Sequence, residues 1–170
     1  MMAKVYLGFG SNLGERANYI QKALESLREH PGIVVRKVSS LYESEPVEME
    51  SQNRFLNGVA EVETRLTPPK MMNYLEEIEQ KLGRDRAGKD QRLDRTIDLD
   101  ILFYNDWVFS ISGLAVPHPW AHKRKFVLVP LLEIAPQFEH PYLRVPLAQI
   151  LENLNTDEKL EACPHLTLSP

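Results

Sequence analysis

A single cysteine, Cys163, stands in the 170-residue chain. It cannot close an internal disulfide and has no thiolate neighbour for a zinc site, so any metal chemistry must use carboxylates or histidines. Long apolar runs are also missing. The longest, Phe126 to Leu132, contains Pro130 and falls far short of the ~20 residues of a membrane-spanning helix. The chain reaches polar Ser11 and Asn12 after a short apolar stretch, without the longer apolar segment of a secretory signal, so the expected compartment is cytoplasmic. The absence of a G-x-x-x-x-G-K-[ST] run excludes a P-loop, and the glycines of Gly8-Phe9-Gly10-Ser11-Asn12-Leu13-Gly14 are wrongly spaced for a dinucleotide fingerprint. No repeat, low-complexity tract or linker is visible. An excess of positive charge is lacking too: 20 basic residues against 24 acidic ones give a net charge of -4, which argues against a nucleic-acid backbone as the main partner. With 43 % hydrophobic and 26 % charged residues, the chain is expected to form one domain over residues 1–170 around one core.

Hydrophobic spacing orders the elements. Lys4 to Phe9 reads as a buried strand, and Ala17, Ile20, Leu24 and Leu27 recur at helical spacing up to the stop His30-Pro31-Gly32. Ile33 to Tyr42 is rich in strand-forming residues. In Phe55 to Thr64, Leu56, Gly58, Ala60 and Val62 share one face, while Phe55, Asn57 and Val59 share the other. Thr67-Pro68 is a helix start, a hydroxyl at the cap and a proline in the first turn, and Met71, Leu75, Ile78 and Leu82 mark a buried stripe ending at Gly83. A charged stretch then precedes an alternating strand, Ile97 to Phe103. The order β-α-β-β-α-β is that of a ferredoxin-like α+β fold, with a C-terminal extension.

Asp98 and Asp100 stand two apart in the last of these strands, so both carboxylates project from one face while Ile97, Leu99 and Ile101 turn to the core. At roughly 6.5 Å and an effective dielectric of 20 the ionised pair repels by about 2 to 3 kcal/mol. Either a cation offsets this or water screens it. A hard divalent ion such as Mg²⁺ takes a few carboxylate oxygens and completes its shell with substrate phosphates, so the pair suits a metal–nucleotide site. The charged stretch supplies the counterpart: Arg84, Arg86, Lys89, Arg92 and Arg95 lie between Gly83 and Arg95. Its length suits a lid, and guanidinium forks suit phosphate oxygens. His118 stands between Pro117 and Pro119, and Lys123, Arg124 and Lys125 follow it. Glu79, on the buried stripe of the second helix, is expected to pair with an arginine of the loop.

These residues resemble the 6-hydroxymethyl-7,8-dihydropterin pyrophosphokinase family of folate biosynthesis. The matching pieces are Gly10-Ser11-Asn12-Leu13-Gly14, Tyr42-Glu43-Ser44-Glu45-Pro46, Phe55-Leu56-Asn57, Gly83-Arg84-Asp85-Arg86, Arg95-Thr96-Ile97-Asp98-Leu99-Asp100 and Val116-Pro117-His118-Pro119, continued by Arg124, Phe126 and Pro130 to Pro136. Each is weak alone; their order and spacing are specific. The resemblance implies transfer of the diphosphate of ATP to the pterin's hydroxymethyl oxygen with release of AMP, and two Mg²⁺ ions held by Asp98 and Asp100. It also implies that Arg84, Arg86, Arg95, His118 and Arg124 hold ATP, with Arg84 and Arg95 taking part in catalysis. Ser44, Pro46, Val47, Phe55, Asn57 and Phe126 would form the pterin pocket. The implied partners are these small molecules, with no nucleic acid or membrane, and the chain is expected to be a monomer or weak oligomer.

One stretch departs from the family. Where Arg-Trp-Gly-Pro-Arg is common, this chain has Gln91-Arg92-Leu93-Asp94-Arg95. The tryptophan that would cover the pterin is absent; Arg92 takes its position and offers a planar guanidinium for stacking instead. Two other readings share the topology. One is a two-metal nucleotidyl transferase or cyclase, which would expel pyrophosphate; the other is a non-catalytic ligand-binding module, which has no use for paired aspartates.

Overall fold

The computed structural model describes residues 1–47, 49–84 and 93–169. Its elements follow the predicted order: β1 (Ala3–Ser11), α1 (Arg16–Glu29), β2 (Ile33–Val38), β3 (Tyr42–Ser44), β4 (Phe55–Thr64), α2 (Pro68–Lys81) and β5 (Asp98–Tyr104). The C-terminal extension adds the hairpin β6 (Phe109–Ile111) and β7 (Leu114–Val116), a 3₁₀ turn at Ala121–Lys123, α3 (Lys125–Ile134), α4 (Leu147–Glu152) and β8 (Leu160–Ala162).

The main sheet runs β5-β1-β4-β3-β8, with β2 also on β4. Its described pairings are antiparallel. β1 lies between β5 and β4, and β2 lies beyond β4, the ferredoxin-like arrangement expected from the element order. The predicted strand over Ile33 to Tyr42 divides in two. Ser39 is the cause: its N–H donates to Val59 O at 2.9 Å and its hydroxyl accepts the Val59 N–H at 2.9 Å, so a side-chain oxygen replaces one rung of the ladder. A second difference concerns α2. The Thr67 hydroxyl makes no cap hydrogen bond, and the helix begins on Pro68, whose fixed φ suits a first turn.

Both faces of the sheet are covered. The apolar stripes of α1 (Ile20, Ala23, Leu24, Leu27) and α2 (Met71, Leu75, Ile78) pack on Leu7, Phe9, Ala60, Val62, Leu99 and Ile101. On the other face α3 packs Val127, Leu128 and Leu131 on Tyr6, Val59, Leu102 and Phe103. The register between β1 and β5 shifts between Tyr6 and Leu7, and this irregularity brings the adjacent Leu102 and Phe103 into one cluster. Alternation along β5 puts Asp98 and Asp100 on the α3 side with Leu102. Glu133 ties α3 to the β3 region, accepting from Tyr42 Oη at 2.6 Å and from Ser40 N and Oγ at 2.8 and 2.7 Å.

Candidate active site

Glycine opens a trough across the sheet. Gly10 of β1 is paired with Asp98 of β5 on one side and Asn57 of β4 on the other, and Tyr42 of β3 lies beyond Asn57. A Cβ at Gly10 would meet Asn57 Oδ1 at 3.2 Å and Phe55 Cδ1 at 3.5 Å. Only hydrogen leaves this space open between the carboxylates and the amide. One row further along, Gly8 pairs with Asp100.

At the acidic end, each oxygen of Asp98 already meets a cation. Arg84 Nη1 donates to Oδ1 at 2.9 Å and Arg95 Nη1 to Oδ2 at 3.1 Å. Arg84 is also bonded to Glu79, a buried carboxylate that accepts the Leu99 N–H at 3.3 Å. The helix spacing that puts Glu79 on the buried stripe therefore does pair it with an arginine of the charged stretch. Burial and the neighbouring Asp98 push the Asp100 carboxyl up to about 7, against the opposing pull of Arg124, Arg84 and Arg95. A carboxylate held so close to protonation gains more from a nearby cation than a solvated one does.

The donor set fits a hard divalent ion. Two oxygen-bearing side chains share a face, and the guanidiniums now on Asp98 supply the positive charge that an ion would supply. Among the described residues no group of three or more His, Cys, Asp or Glu could hold a metal alone. Mg²⁺ bound by one or two carboxylates completes its shell with water and substrate phosphates.

His118 stands after the cis peptide bond Val116–Pro117. Its N–H donates to Leu102 O at 2.9 Å, and its Nδ1 accepts the Trp120 N–H at 3.1 Å, which leaves Nε2 for a ligand. Burial and nearby Arg124 hold the imidazole down at about 4, so at neutral pH it is an uncharged group. The Arg124 guanidinium lies 5.5 Å from the centre of the Phe126 ring, at the start of α3.

The polar end is built on β3 and β4. Asn57 Nδ2 donates to Ser44 Oγ at 2.7 Å, which fixes the amide with its Oδ1 toward the trough. Phe55 pairs with Ser44, and the Arg95 guanidinium lies 5.6 Å from the Phe55 ring centre. Arg95 thus touches both ends, the Asp98 carboxylate and the Phe55 ring. Pro46 and Val47 follow β3, with Val47 exposed. The structure brings Ser44, Phe55, Asn57, Arg84, Arg95, Asp98 and Asp100 to one end of the sheet; Arg124 and Phe126 stand at the start of α3, which covers the same face as Asp98 and Asp100. Arg86, Lys89 and Arg92, with most of the expected lid, lie outside the described residues.

Sequence reasoning missed the loop contacts around Arg95. Asp94 accepts from Asn12 Nδ2 at 2.8 Å, Ser51 Oγ at 2.6 Å and Asn53 Nδ2 at 2.6 Å. A polar depression of about 430 Å³ lies alongside, lined by Asn12, Arg16, Glu43, Asn53 and Arg54. In the sequence Asp94 registers only as one acidic residue in a basic stretch. Ser11 and Thr96 each bury a hydroxyl without a hydrogen-bond partner.

The chain is similar to known proteins in sequence and in fold. The sequence model of the family 7,8-dihydro-6-hydroxymethylpterin-pyrophosphokinase matches residues 6–136. The chain is 43 % identical over 148 residues to the 2-amino-4-hydroxy-6-hydroxymethyldihydropteridine pyrophosphokinase of Aquifex aeolicus, covering 87 % of this chain and 90 % of that protein. It is 42 % identical over 134 residues to the protein of the same name in Bacillus subtilis, covering 79 % of each. Against the folic acid synthesis protein fol1 of Schizosaccharomyces pombe it is 43 % identical over 149 residues, which cover 88 % of this chain but span only 20 % of that longer protein. Among solved structures, Plasmodium falciparum HPPK-DHPS with pteroate superposes with a TM-score of 0.70 at 14 % identity, covering 89 % of this chain and 44 % of that one, a likeness of fold.

Proposed function

The chain belongs to the 7,8-dihydro-6-hydroxymethylpterin-pyrophosphokinase family, and we propose that it transfers an intact diphosphate from ATP to the hydroxymethyl oxygen of 6-hydroxymethyl-7,8-dihydropterin, releasing AMP, as a step of folate biosynthesis. The observation that carries this reading is the trough over Gly10, with paired carboxylates at one end and a fixed amide and aromatic ring at the other. An anionic chain and a flat heterocycle have complementary ends to bind.

In this reading Asp98 and Asp100 hold two Mg²⁺ ions, which when bound neutralise phosphate charge and polarise the transferred group. Arg84 and Arg95 leave Asp98 for phosphate oxygens, their forks matching phosphate geometry. Arg86, His118 and Arg124 hold the rest of ATP, with neutral His118 offering Nε2. Asn57, held through Nδ2 by Ser44, presents its Oδ1 acceptor to the pterin edge; Phe55 and Phe126 face the ring, with Pro46 and Val47 at its border. The hydroxymethyl oxygen then attacks the β-phosphorus in line; the bond from that phosphorus to the α–β bridging oxygen breaks, AMP leaves with that oxygen, and the hydroxyl proton passes to solvent. Orientation and fixed charge supply the catalysis without a covalent intermediate. The whole chain acts as one domain, cytoplasmic and a monomer or weak oligomer. Among the described residues no helix is long and apolar enough to cross a membrane.

The test is incubation with ATP, Mg²⁺ and the reduced pterin, followed by separation of nucleotides. AMP formed only when the pterin is present supports the reading. Pyrophosphate or ADP as the pterin-dependent product refutes it.

A further inference from the structure

We infer that Asp94 is a positioning residue: its carboxylate clasps three loops at the mouth of the site and thereby sets where Arg95 stands. This rests on the reading given under Proposed function.

A carboxylate only accepts, so every hydrogen bond it makes requires a donor brought to it. Asp94 receives donors from two other segments far apart in sequence. Asn12, after β1, gives Nδ2 to Oδ1 at 2.8 Å; Ser51 and Asn53, before β4, give Oγ to Oδ1 and Nδ2 to Oδ2, both at 2.6 Å. The donors are themselves braced. The Asn53 N–H donates to Ser51 Oγ at 3.0 Å, and Asn12 Nδ2 reaches Asn53 O at 3.4 Å. These three donors carry no charge, so the bonds are charge-assisted on the acceptor side alone.

The clasp continues into the catalytic machinery through Asn12. Its Oδ1 accepts the Arg95 N–H at 2.7 Å and its N–H donates to Arg95 O at 3.1 Å. The same buried side chain therefore fastens Asp94 through Nδ2 and the next residue's backbone through Oδ1. With both backbone groups held, the Arg95 side chain leaves from a fixed point and reaches Asp98 at 3.1 Å and the Phe55 ring at 5.6 Å. On the other side the clasp fixes Asn53, two residues before Phe55 begins β4. A single carboxylate thus joins the loop that carries Arg95 to the loop that enters β4.

The test uses the full chain. Wild type, Asp94→Ala, Asn53→Ala and the double variant are compared by steady-state kinetics per folded enzyme and by amide hydrogen exchange without ligands. Asp94→Ala should lower kcat on the order of tenfold to a hundredfold, the scale of a misplaced reacting group, and raise the pterin KM. Asn53→Ala should cost several-fold in the wild-type background but less than about twofold beside Asp94→Ala, because the bond is already gone. In Asp94→Ala the amides of Asn53 and Arg95 should exchange faster while those of Val5 and Leu7 keep their protection. Unchanged exchange at Asn53 and Arg95 overturns the clasp. Faster exchange with kcat and KM unchanged, or additive costs of the two substitutions, overturns the positioning role. Absence of AMP formation by the wild-type protein would instead refute the proposed reaction, with the exchange result still judging the clasp.

Discussion

Gly10 and Asn57 face each other across β1 and β4 so closely that a Cβ on Gly10 would lie 3.2 Å from Asn57 Oδ1. That contact is tight enough to displace the amide, which is otherwise held by Ser44. Gly10→Ala should therefore raise the pterin KM by about tenfold through a shifted recognition group, with the ATP KM nearly unchanged. Gly58→Ala is the contrast. Its Cβ would fall 2.4 Å from the Phe9 ring, so this substitution should destabilise the protein by about 1–3 kcal/mol through overpacking. Initial-rate kinetics for the first and urea denaturation for the second separate the two effects.

Asp98→Asn and Asp100→Asn should each lower turnover on the order of a hundredfold or more, because each removes a charge that a divalent ion needs. The core side of β5, with Leu99 and Ile101 buried, is untouched, so the circular dichroism spectrum should not change. Near wild-type turnover at saturating Mg²⁺ in either variant would remove the carboxylates from the mechanism.

The parts of this arrangement legible in the sequence are those with a period. Alternation alone places Asp98 and Asp100 on one face of β5 and Asn57 opposite Leu56, and helical spacing places Glu79 where it meets Arg84. What stayed hidden has no period. The break at Ser39 depends on one hydroxyl capping a rung of β4, and serine is compatible with strand and turn alike. The Asp94 clasp joins residues 12, 51, 53 and 94, and no local pattern links loops so far apart. Where related chains commonly have Gly-Pro, this one has Leu93-Asp94, so a side-chain acceptor stands at a position where a proline would constrain the backbone directly. Arg92, expected to stack over the pterin, lies outside the described residues.

The pair of Glu79 and Arg84 should matter for stability. Glu79 is fully buried and bonded to Arg84, whose side chain is only 12 % exposed. Glu79→Ala leaves Arg84 with Asp98 as its remaining acidic partner among the described residues and removes an acceptor from the Leu99 N–H, so unfolding free energy should fall by about 1–3 kcal/mol. Glu79→Gln keeps an acceptor and should cost less. Urea titrations of the two variants compare the charge with the hydrogen bond.

Acid should weaken the fold through His140. This imidazole is buried, its ring meets Phe103 and His122 edge-on, and its Nδ1 accepts the N–H groups of Tyr142 and Leu143 at 3.3 and 3.1 Å. Burial, with a smaller contribution from His122, holds it down at about 4, against the ordinary 6.5. Between these values the unfolded chain binds a proton that the folded chain refuses, so His140 costs stability as pH falls from 6.5 toward 4. Asp100 acts in the opposite sense: its carboxyl is raised from 3.8 to about 7, so its contribution falls as pH rises through that window. A wild-type profile mixes these two with His118, also held at about 4, whereas a difference between proteins isolates one. His140→Asn keeps an acceptor for the two backbone N–H groups and removes the titration. In metal-free buffer its unfolding free energy should drop less than that of wild type between pH 7 and pH 4. Parallel profiles for the two proteins would show that His140 carries no part of the acid sensitivity.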